Sequence, residues 1–495
     1  MSLQGQDDAH RAGGGRCAPS SRVCRSVGAA SIRSKRTSKL PPEWLDSLPR
    51  APADERVARA IRSYSVARRA YDLALVKKVV DRVAEVVAPA RMGTSFRWLL
   101  SSSWVSNIGD GIALAAGPLL VASQTDSAFL VALAGLLQYL PWLLIGLWAG
   151  ALADRLDRRV VVMVADGLRA VVVAVLCAVI FTEHVSIGMV LAIMFLYGVA
   201  EVFADSATAT LLPMLVDKRD LGTGNSRLQA GFLTGNQLVG PPVGAFLFAA
   251  GMAWPFLAQV VCVALAVVLV SRIATASGAV RDSAATHVRQ DIAEGLRWIW
   301  QNPAVRTLAL VILVFNVTWA AAWAVLVLWS TQHLGMSEVG FGLLTTAVAV
   351  GGTIGIGLYG RIERRFALAN VMRVCLLLEV LTHLAMALTT TGWVAIVIML
   401  QFGAYAFVWS TVSATVRQRA VPTAFQGRVG SVYMMCVFGG MVIGRALGGV
   451  IAERWGLTAP FWFAFVGAGI TLALVWRELS SIAHADADDG SGANQ

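Results

Sequence analysis

Long apolar runs recur along this chain and constrain its fold more than any other feature. A helix that crosses a bilayer needs about 20 apolar residues, and twelve such runs follow one another from about residue 99 onward. Lipid offers the backbone no hydrogen-bond partners, so the runs predict an all-α membrane protein. As spans 1 to 12, they occupy approximately residues 99–122, 128–149, 160–181, 187–208, 228–250, 253–275, 306–330, 340–360, 367–389, 392–413, 429–452 and 457–476.

Charged residues are few and unevenly distributed. They make up 14% of the chain, against about 25% in soluble domains, which excludes an ordinary cytosolic enzyme and a nucleic-acid-binding domain. Residues 1–98 hold 19 Lys and Arg against 9 Asp and Glu, so nearly all of the net charge of +11 belongs to the N-terminal tail. Residues 99–495 are nearly neutral. We expect them to be surrounded by membrane lipid and to have no nucleic-acid partner.

The loops between the spans differ in basic residues, and the difference predicts an orientation. Loops on the side opposite the tail hold one basic residue, Arg454. Loops on the tail's side hold Arg155, Arg158, Arg159, Lys218, Arg219, Arg227, Arg361, Arg364, Arg365, Arg417, Arg419 and Arg428, with five more Arg between residues 272 and 306. Because basic loops stay in the cytoplasm, both termini are predicted to be cytoplasmic in a multi-pass protein of the inner (plasma) membrane.

The two halves of the chain resemble each other at an offset of about 205 residues. Residues 151–159 align with residues 357–365, and residues 240–245 align with residues 444–449. Such a repeat is typical of transporters built from two parallel six-helix halves, with the substrate site between them. The predicted organisation is a basic tail at 1–96, a first half at 97–275, a cytoplasmic central loop at 276–305, a second half at 306–476 and a disordered tail at 477–495.

The stretch Gly150-Ala-Leu-Ala-Asp-Arg-Leu-Asp-Arg-Arg159 resembles the signature loop GxLADRxGRR of the major facilitator superfamily, with Asp157 where a Gly is usual. Three further stretches resemble the bacterial drug, macrolide and siderophore exporter group of that superfamily: 107–111, 291–298 and 427–431. The resemblance covers about residues 97–476. It implies the major facilitator fold, with twelve helices in two halves, and a cavity lined by spans 1, 4, 7 and 10.

The stretch Gly240-Pro-Pro-Val-Gly244 in span 5 resembles the antiporter motif of drug exporters, with Asn236 where the motif has its upstream Gly. Small residues let membrane helices approach closely, and Pro bends the span. Gly and Pro are common in any membrane helix, so the motif alone favours export only weakly.

Polar and aromatic residues near the middle of the cavity-lining spans are the candidate substrate positions. At ~1.5 Å of rise per residue, Asp110 lies ~13 Å from the cytoplasmic end of span 1, and Asn316 and Gln401 lie ~15 Å along spans 7 and 10. Aromatic faces on spans 7 and 10 suit flat or cationic amphiphiles, although packing between helices explains them equally well. The predicted cavity residues are Asn107, Asn316, Trp319, Trp323, Gln401 and Tyr405.

Span 4 carries two carboxylates one turn apart, Glu201 and Asp205. Like charges at this spacing disfavour joint ionisation, so one group should hold a proton, as an antiporter requires. The alternative is a structural salt-bridge cluster in which Arg169 on span 3 neutralises the acids. That reading is favoured for Asp166 and Asp205, whereas proton coupling is favoured for Glu201 and for Asp110 on span 1. The candidate proton-coupling residues are Asp110, Glu201 and Asp205, and the predicted charge network is Asp166 with Arg169. On span 9, Glu379 and His383 are predicted to form a local pair.

The loop after span 2 is predicted to gate the transporter. In the family pattern, the carboxylate of Asp154 faces the positive N-terminal end of span 11 and stabilises one conformation through the helix dipole. The predicted gating residues are Gly150, Asp154, Arg155, Arg158 and Arg159.

The tail before span 1 allows two readings. Residues 53–88 have the three-four apolar spacing of an amphipathic helix, which could lie on anionic lipid. Met92 immediately precedes the expected start of the fold, so residues 1–91 could equally lie before the true start.

These features favour a secondary transporter, not an enzyme, that exports small amphipathic compounds in exchange for protons by alternating access. Proton-coupled uptake of a metabolite and a non-transporting sensor on the same fold remain alternatives. An ATP-driven pump is disfavoured because the chain has no GxxxxGK[ST] loop, and no HExxH or GxSxG pattern indicates a metal or a nucleophile. The predicted partners are lipid, protons and a small-molecule substrate, with no cofactor, and the protein is predicted to be a monomer.

Overall fold

The computed structural model describes residues 90–153, 156–274, 288–422 and 425–479, and these are almost entirely helical. The helices of more than ten residues are α1 Gly93–Gln124, α2 Ala128–Ala153, α3 Arg158–Phe181, α4 Ile187–Leu215, α5 Leu221–Gly231, α6 Gly240–Ala250, α7 Trp254–Val270, α8 Val288–Gln301, α9 Pro303–Trp323, α10 Glu338–Arg365, α11 Leu368–Leu388, α12 Gly392–Ala420, α13 Gln426–Trp455 and α14 Ala459–Val475.

The all-helical prediction is confirmed, and each predicted span falls on helix. Within the described ranges, nine helices are long and apolar enough to cross a membrane, and α7 and α14 are shorter apolar helices. Helices α1–α4 correspond to spans 1–4, α7 to span 6, and α9–α14 to spans 7–12. By this correspondence, the predicted first half comprises α1–α7 and the predicted second half α9–α14. The number of crossings and the side on which the termini lie stay predictions.

Span 5 is one continuous path with a change of helix type in its middle. It runs through α5, a π-helix at Phe232–Val239 and then α6. The N–H of Gly240 donates to the carbonyl of Gly235, five residues earlier. This wider turn adds one residue, so Gly235 takes the place that residue 236 would have in an α-helix. The motif's upstream small residue is therefore supplied by Gly235, and Asn236 does not disrupt it.

The glycines of the internal repeat have equivalent surroundings in the two halves. A Cβ at Gly244, the residue aligned with Gly448, would lie 2.8 Å from the carbonyl carbon of Ile112, which places α6 directly against α1. A Cβ at Gly448 would lie 2.7 Å from the Cα of Ala321, which places α13 equally close to α9. Aligned glycines thus pack spans 5 and 11 against spans 1 and 7, because only a missing side chain allows this approach.

Adding a methyl group at this contact should destabilise the fold. A Cβ at Gly244 meets the backbone of Ile112, which cannot move aside as a side chain can. We expect Gly244→Ala to lower the free energy of unfolding by about 1–3 kcal/mol. The matched control is Gly167→Ala in α3, where a Cβ meets nothing within 4 Å and the better helix former should be neutral or mildly stabilising. Thermal unfolding in detergent compares the two, and equal melting temperatures would contradict the contact.

The central segment contains a helix that packs on the second half. Glu294 in α8 forms an ion pair with Arg428 at 3.2 Å, and Trp298 stacks on Phe425 with ring centroids 6.0 Å apart. Gly295 lies against the carbonyl of Arg428, where a Cβ would be 2.7 Å from the oxygen. Two of the stretches that resemble the exporter group, 291–298 and 427–431, are therefore in direct contact.

The two halves are joined at the end that the loop charges place outside the cell. Glu453 at the end of α13 accepts hydrogen bonds from the Ser127 hydroxyl and the Phe129 N–H, both at 3.1 Å. Gln332 donates to Asp126 at 3.1 Å. The bonds of Glu453 to Ser127 and Phe129 are called the outer contact below, and they connect the loop before α2 to the second half.

Candidate substrate cavity and charge network

A cavity of about 410 Å³ lies between the two halves. Its wall is mostly apolar, with a few polar side chains, as is usual for sites that bind small organic molecules. The first half contributes residues from α1, α2, α3, α4, α6 and α7, and the second half contributes residues from α9, α10, α12 and α13. The cavity therefore lies where a parallel repeat predicts a substrate site.

Three of the predicted cavity residues line this space: Asn316, Trp319 and Trp323. Asn316 is buried, and its amide donates to the carbonyl of Ile312 at 2.7 Å, which leaves its side-chain oxygen available. The rings of Trp319 and Trp323 stack with centroids 4.9 Å apart. Phe402 of α12 stacks on Trp319 at 6.4 Å. Trp319, Trp323 and Phe402 form a continuous aromatic wall.

The other three predicted cavity residues lie outside the lining. Asn107 donates to the carbonyl of Ser103 at 2.7 Å. Gln401 is exposed, and its neighbour Phe402 occupies the wall instead. Tyr405 is buried one turn beyond Gln401. Residues one position apart on a helix differ by about 100° in direction, so depth in the membrane alone did not identify the lining face.

Tyr405 belongs to a buried polar cluster behind the aromatic wall. Its hydroxyl donates to Glu379 at 2.7 Å and lies 3.0 Å from the Thr382 hydroxyl. The second oxygen of Glu379 is 2.8 Å from Nε2 of His383. The predicted local pair of Glu379 and His383 is therefore confirmed, and Tyr405 completes it.

A second buried cluster, the charge network, is organised around Arg169 in α3. Its guanidinium, with 2% of the side chain exposed, contacts Asp166 at 2.9 Å and Asp110 at 2.5 Å. It also donates to the hydroxyl of Tyr197 in α4. A cation at this depth requires compensation, and charge-assisted hydrogen bonds to two carboxylates supply it. The predicted pairing of Asp166 with Arg169 is part of this network.

The charge network reaches the cavity through two residues that sequence analysis missed. Tyr197 donates to Asp110 at 2.6 Å and accepts a hydrogen bond from Gln259 of α7 at 3.0 Å. Both Tyr197 and Gln259 line the cavity. Gln259 carried a signal, since it is the one amide side chain within the apolar run 253–275.

The remaining predicted coupling residues follow Tyr197 along α4. Glu201 and Asp205 come one and two turns later, so the three side chains share a face of the helix. Glu201 is partly buried and Asp205 is exposed. With Asp110 and Asp166, this region holds four carboxyl groups around one central arginine.

Part of the predicted gating loop is described. Gly150 lies in the last turn of α2, whereas Asp154 and Arg155 fall outside the described residues. Arg158 contacts the sulfur of Met214 at 2.8 Å, and Arg159 donates to the carbonyl of Ser271 at the end of α7.

Asp157, which stands where the family has Gly, caps the N-terminus of α3. Its carboxylate accepts the N–H groups of Arg159 at 3.0 Å and Val160 at 3.4 Å. The departure from the family pattern therefore has a local structural reason, since Asp is among the preferred N-cap residues.

The described residues are almost entirely helical and surround a largely apolar cavity between the two predicted halves, an arrangement typical of secondary transporters. The profile of the transmembrane secretion effector family, a branch of the major facilitator superfamily, matches residues 84–494, and the chain belongs to this family. The resemblance to the major facilitator superfamily is thereby confirmed.

Curated relatives confirm the resemblance to the drug and macrolide exporter group. The multidrug efflux pump Tap of Mycolicibacterium fortuitum is 28% identical over 378 residues, 73% of this chain and 90% of that protein. Macrolide efflux protein A of Streptococcus pyogenes is 25% identical over 392 residues, 74% of this chain and 91% of that protein.

Among solved structures, an inward-facing bacterial homologue of the iron transporter ferroportin aligns with a TM-score of 0.65 at 17% identity, over 78% of this chain and 98% of that one. The nucleoside transporter NupG aligns with a TM-score of 0.61 at 12% identity, over 79% of this chain and 99% of that one. At such identities the likeness concerns the fold alone. The chain is a multi-pass membrane transporter with efflux-pump relatives.

Proposed function

We propose that the protein exports small amphipathic compounds in exchange for protons. The observation that carries this proposal is the junction of the charge network with the cavity, where Tyr197 bonds Asp110 and also lines the cavity. Protonation or deprotonation of Asp110 can therefore affect a compound in the cavity through the side chain of Tyr197. The efflux names of the relatives support outward transport.

The coupling follows from the balance of charge in the network. Protonating Asp110 removes the charge that Arg169 compensates and weakens their charge-assisted bond. Arg169 then turns toward the remaining carboxylates, and the hydrogen bond from Tyr197 to Asp110 weakens, because a neutral carboxyl group is a poorer acceptor than a carboxylate. Glu201 and Asp205 extend the acidic face of α4 from this point toward the predicted cytoplasmic end, so they form the route by which the proton leaves Asp110 for the cytoplasm.

Alternating access uses the outer contact and the gating loop. The outer contact holds the two halves together at the predicted outer end, which supports a state that loads substrate from the cytoplasm. Gly150, Asp154, Arg155, Arg158 and Arg159 form the gate at the opposite end. The proposal includes twelve crossings, cytoplasmic termini, the inner membrane as location and a monomeric state.

The test is transport by the full chain in inverted membrane vesicles with an acidic interior. The probes are ethidium, erythromycin, tetracycline and 1-anilinonaphthalene-8-sulfonate. We expect accumulation of at least one probe that stops when a protonophore collapses the gradient. Asp110→Asn should abolish the gradient-dependent part, and Glu201→Gln should reduce it several-fold.

The matched control is Asp217→Asn, which neutralises an acid whose side chain is 72% exposed in a loop, and it should transport normally. Accumulation that survives the protonophore, or that is lost equally in Asp217→Asn, would contradict proton coupling at Asp110. Accumulation only under the opposite gradient geometry would indicate uptake instead of export.

A further inference from the structure

The cavity contains a cation that the charge network does not involve. Of the described residues that line it, Arg445 in α13 is the one with a formal charge. The residue is 8% exposed, and its Nε has no hydrogen-bond partner. No Asp or Glu in the described ranges forms an ion pair with it, whereas Arg169 has two such partners.

The first half of the protein holds the guanidinium in place. Its central carbon lies 4.8 Å from the centre of the Tyr139 ring in α2, a cation–π contact. One turn earlier on the same helix face, Gly135 leaves the space that Nη1 occupies, and a Cβ there would collide with it. The side chain thus crosses from the second half to a site shaped by α2.

The side-chain hydrogen-bond partner of Arg445 is the neutral Tyr139, so its charge is not compensated by a carboxylate and its Nε–H stays unpaired. Burying such a group is costly unless an anion joins it. The planar fork of a guanidinium matches two oxygens of a carboxylate, sulfonate or phosphate group. The aromatic wall of Trp319, Trp323 and Phe402 lines the same cavity and offers flat apolar surface.

We propose that Arg445 binds an anionic group of the transported compound while the aromatic wall packs against its apolar body. The inference rests on the proposed function in taking the cavity as the substrate site. It adds a substrate class, aromatic or amphipathic organic anions and zwitterions, that a purely apolar cavity would not select.

The test compares two dyes that differ by one sulfonate, 1-anilinonaphthalene-8-sulfonate and N-phenyl-1-naphthylamine. Saturable quenching of tryptophan fluorescence in the full-length protein reports binding, because two tryptophans line the cavity. We expect the sulfonate to bind at least about tenfold more tightly than the uncharged dye. Arg445→Gln should remove this difference by weakening the sulfonate alone, and Arg445→Lys should restore part of it.

Two further variants keep the result interpretable. Arg454→Gln removes an exposed arginine from the same helix and should leave both affinities unchanged. Gly135→Ala displaces only the end of the flexible Arg445 side chain, so it should fold and should weaken the sulfonate selectively. If Arg445→Gln yields no folded protein, two results still test whether Arg445 binds the sulfonate: the ratio of the two dye affinities in the wild type and the effect of Gly135→Ala on that ratio.

Equal affinities for the two dyes in the wild type, or equal losses in Arg445→Gln, would overturn the proposal. The proposal would also be overturned if replacing chloride by gluconate in the buffer changed the dye affinities while the sulfonated and the uncharged dye bound equally well. A bound inorganic anion would then neutralise Arg445. The measurement requires neither a gradient nor transport. Failure of the vesicle experiment with selective sulfonate binding intact would therefore contradict proton-driven export and leave the anion site standing.

Discussion

Replacing Arg169 with Met is expected to lower the free energy of unfolding by about 3–5 kcal/mol, because the substitution leaves Asp110 and Asp166 buried without their cation. The aliphatic part of the side chain is kept, so the loss reports the charge and its hydrogen bonds more than lost packing. Thermal unfolding in detergent, followed by tryptophan fluorescence and by the yield of monodisperse protein, measures the effect.

The control for this prediction is a solvent-exposed arginine that also forms ion pairs. Arg219 forms ion pairs with Asp217 and Asp220, yet its side chain is 80% exposed. Exposed pairs contribute less than about 1 kcal/mol, so Arg219→Met should melt close to wild type. Adding Asp110→Asn to Arg169→Met should recover part of the lost stability, since one uncompensated charge is removed. Equal melting of Arg169→Met and Arg219→Met would show that the buried acids are already neutral and need no arginine.

Hydropathy was sufficient to predict the long apolar helices of this fold. The apolar runs located the spans because lipid exposure requires a nearly continuous apolar sequence. The residues at which the helices begin and end were less predictable. Helix α1 begins at Gly93 and α10 continues to Arg365, beyond the apolar runs, because backbone hydrogen bonds continue into water without help from side-chain hydropathy. Helix α8 also escaped prediction, since a short amphipathic helix is stabilised by its contact with α13 and not by its own sequence.

The π-helix in span 5 shows a different limit. The antiporter-like stretch looked incomplete because Asn236 occupies the position of a Gly. A change from four- to five-residue hydrogen bonding moves Gly235 onto that face. Such a change depends on how span 5 packs against α1, and local sequence carries no clear sign of it.

At the site, sequence analysis succeeded where burial of charge was the signal and failed where helix direction was decisive. Asp110, Asp166 and Arg169 were identified because a charge inside an apolar run needs a partner, and the structure brings the three together. The same reasoning applies to Arg445, a lone arginine within span 11, but the repeat alignment around it drew attention to its neighbouring glycines. Gln401 was chosen by depth, and its neighbour Phe402 proved to face the cavity.

Removing the carboxylate of Glu453 is expected to open the outer end of the transporter. This side chain accepts hydrogen bonds from Ser127 and from the N–H of Phe129 in the first turn of α2, where a negative charge also interacts favourably with the helix dipole. Both bonds cross between the halves, so opening the outer end would break them. Their loss in Glu453→Ala should therefore shift the equilibrium toward the outward-open state by about tenfold.

Spin labels at His184 and Thr390, two exposed positions in outer loops of opposite halves, measure this shift as a distance distribution in a variant whose native cysteines are replaced. The wild type should show mainly the shorter distance, and Glu453→Ala should populate a longer one. Glu338→Gln is the control, because Glu338 is an exposed acid at the same end, in the first turn of α10. It should leave the distribution unchanged. An unchanged distribution in Glu453→Ala would mean that close packing, such as that of Gly449 against Ala132, holds the outer end closed without the outer contact.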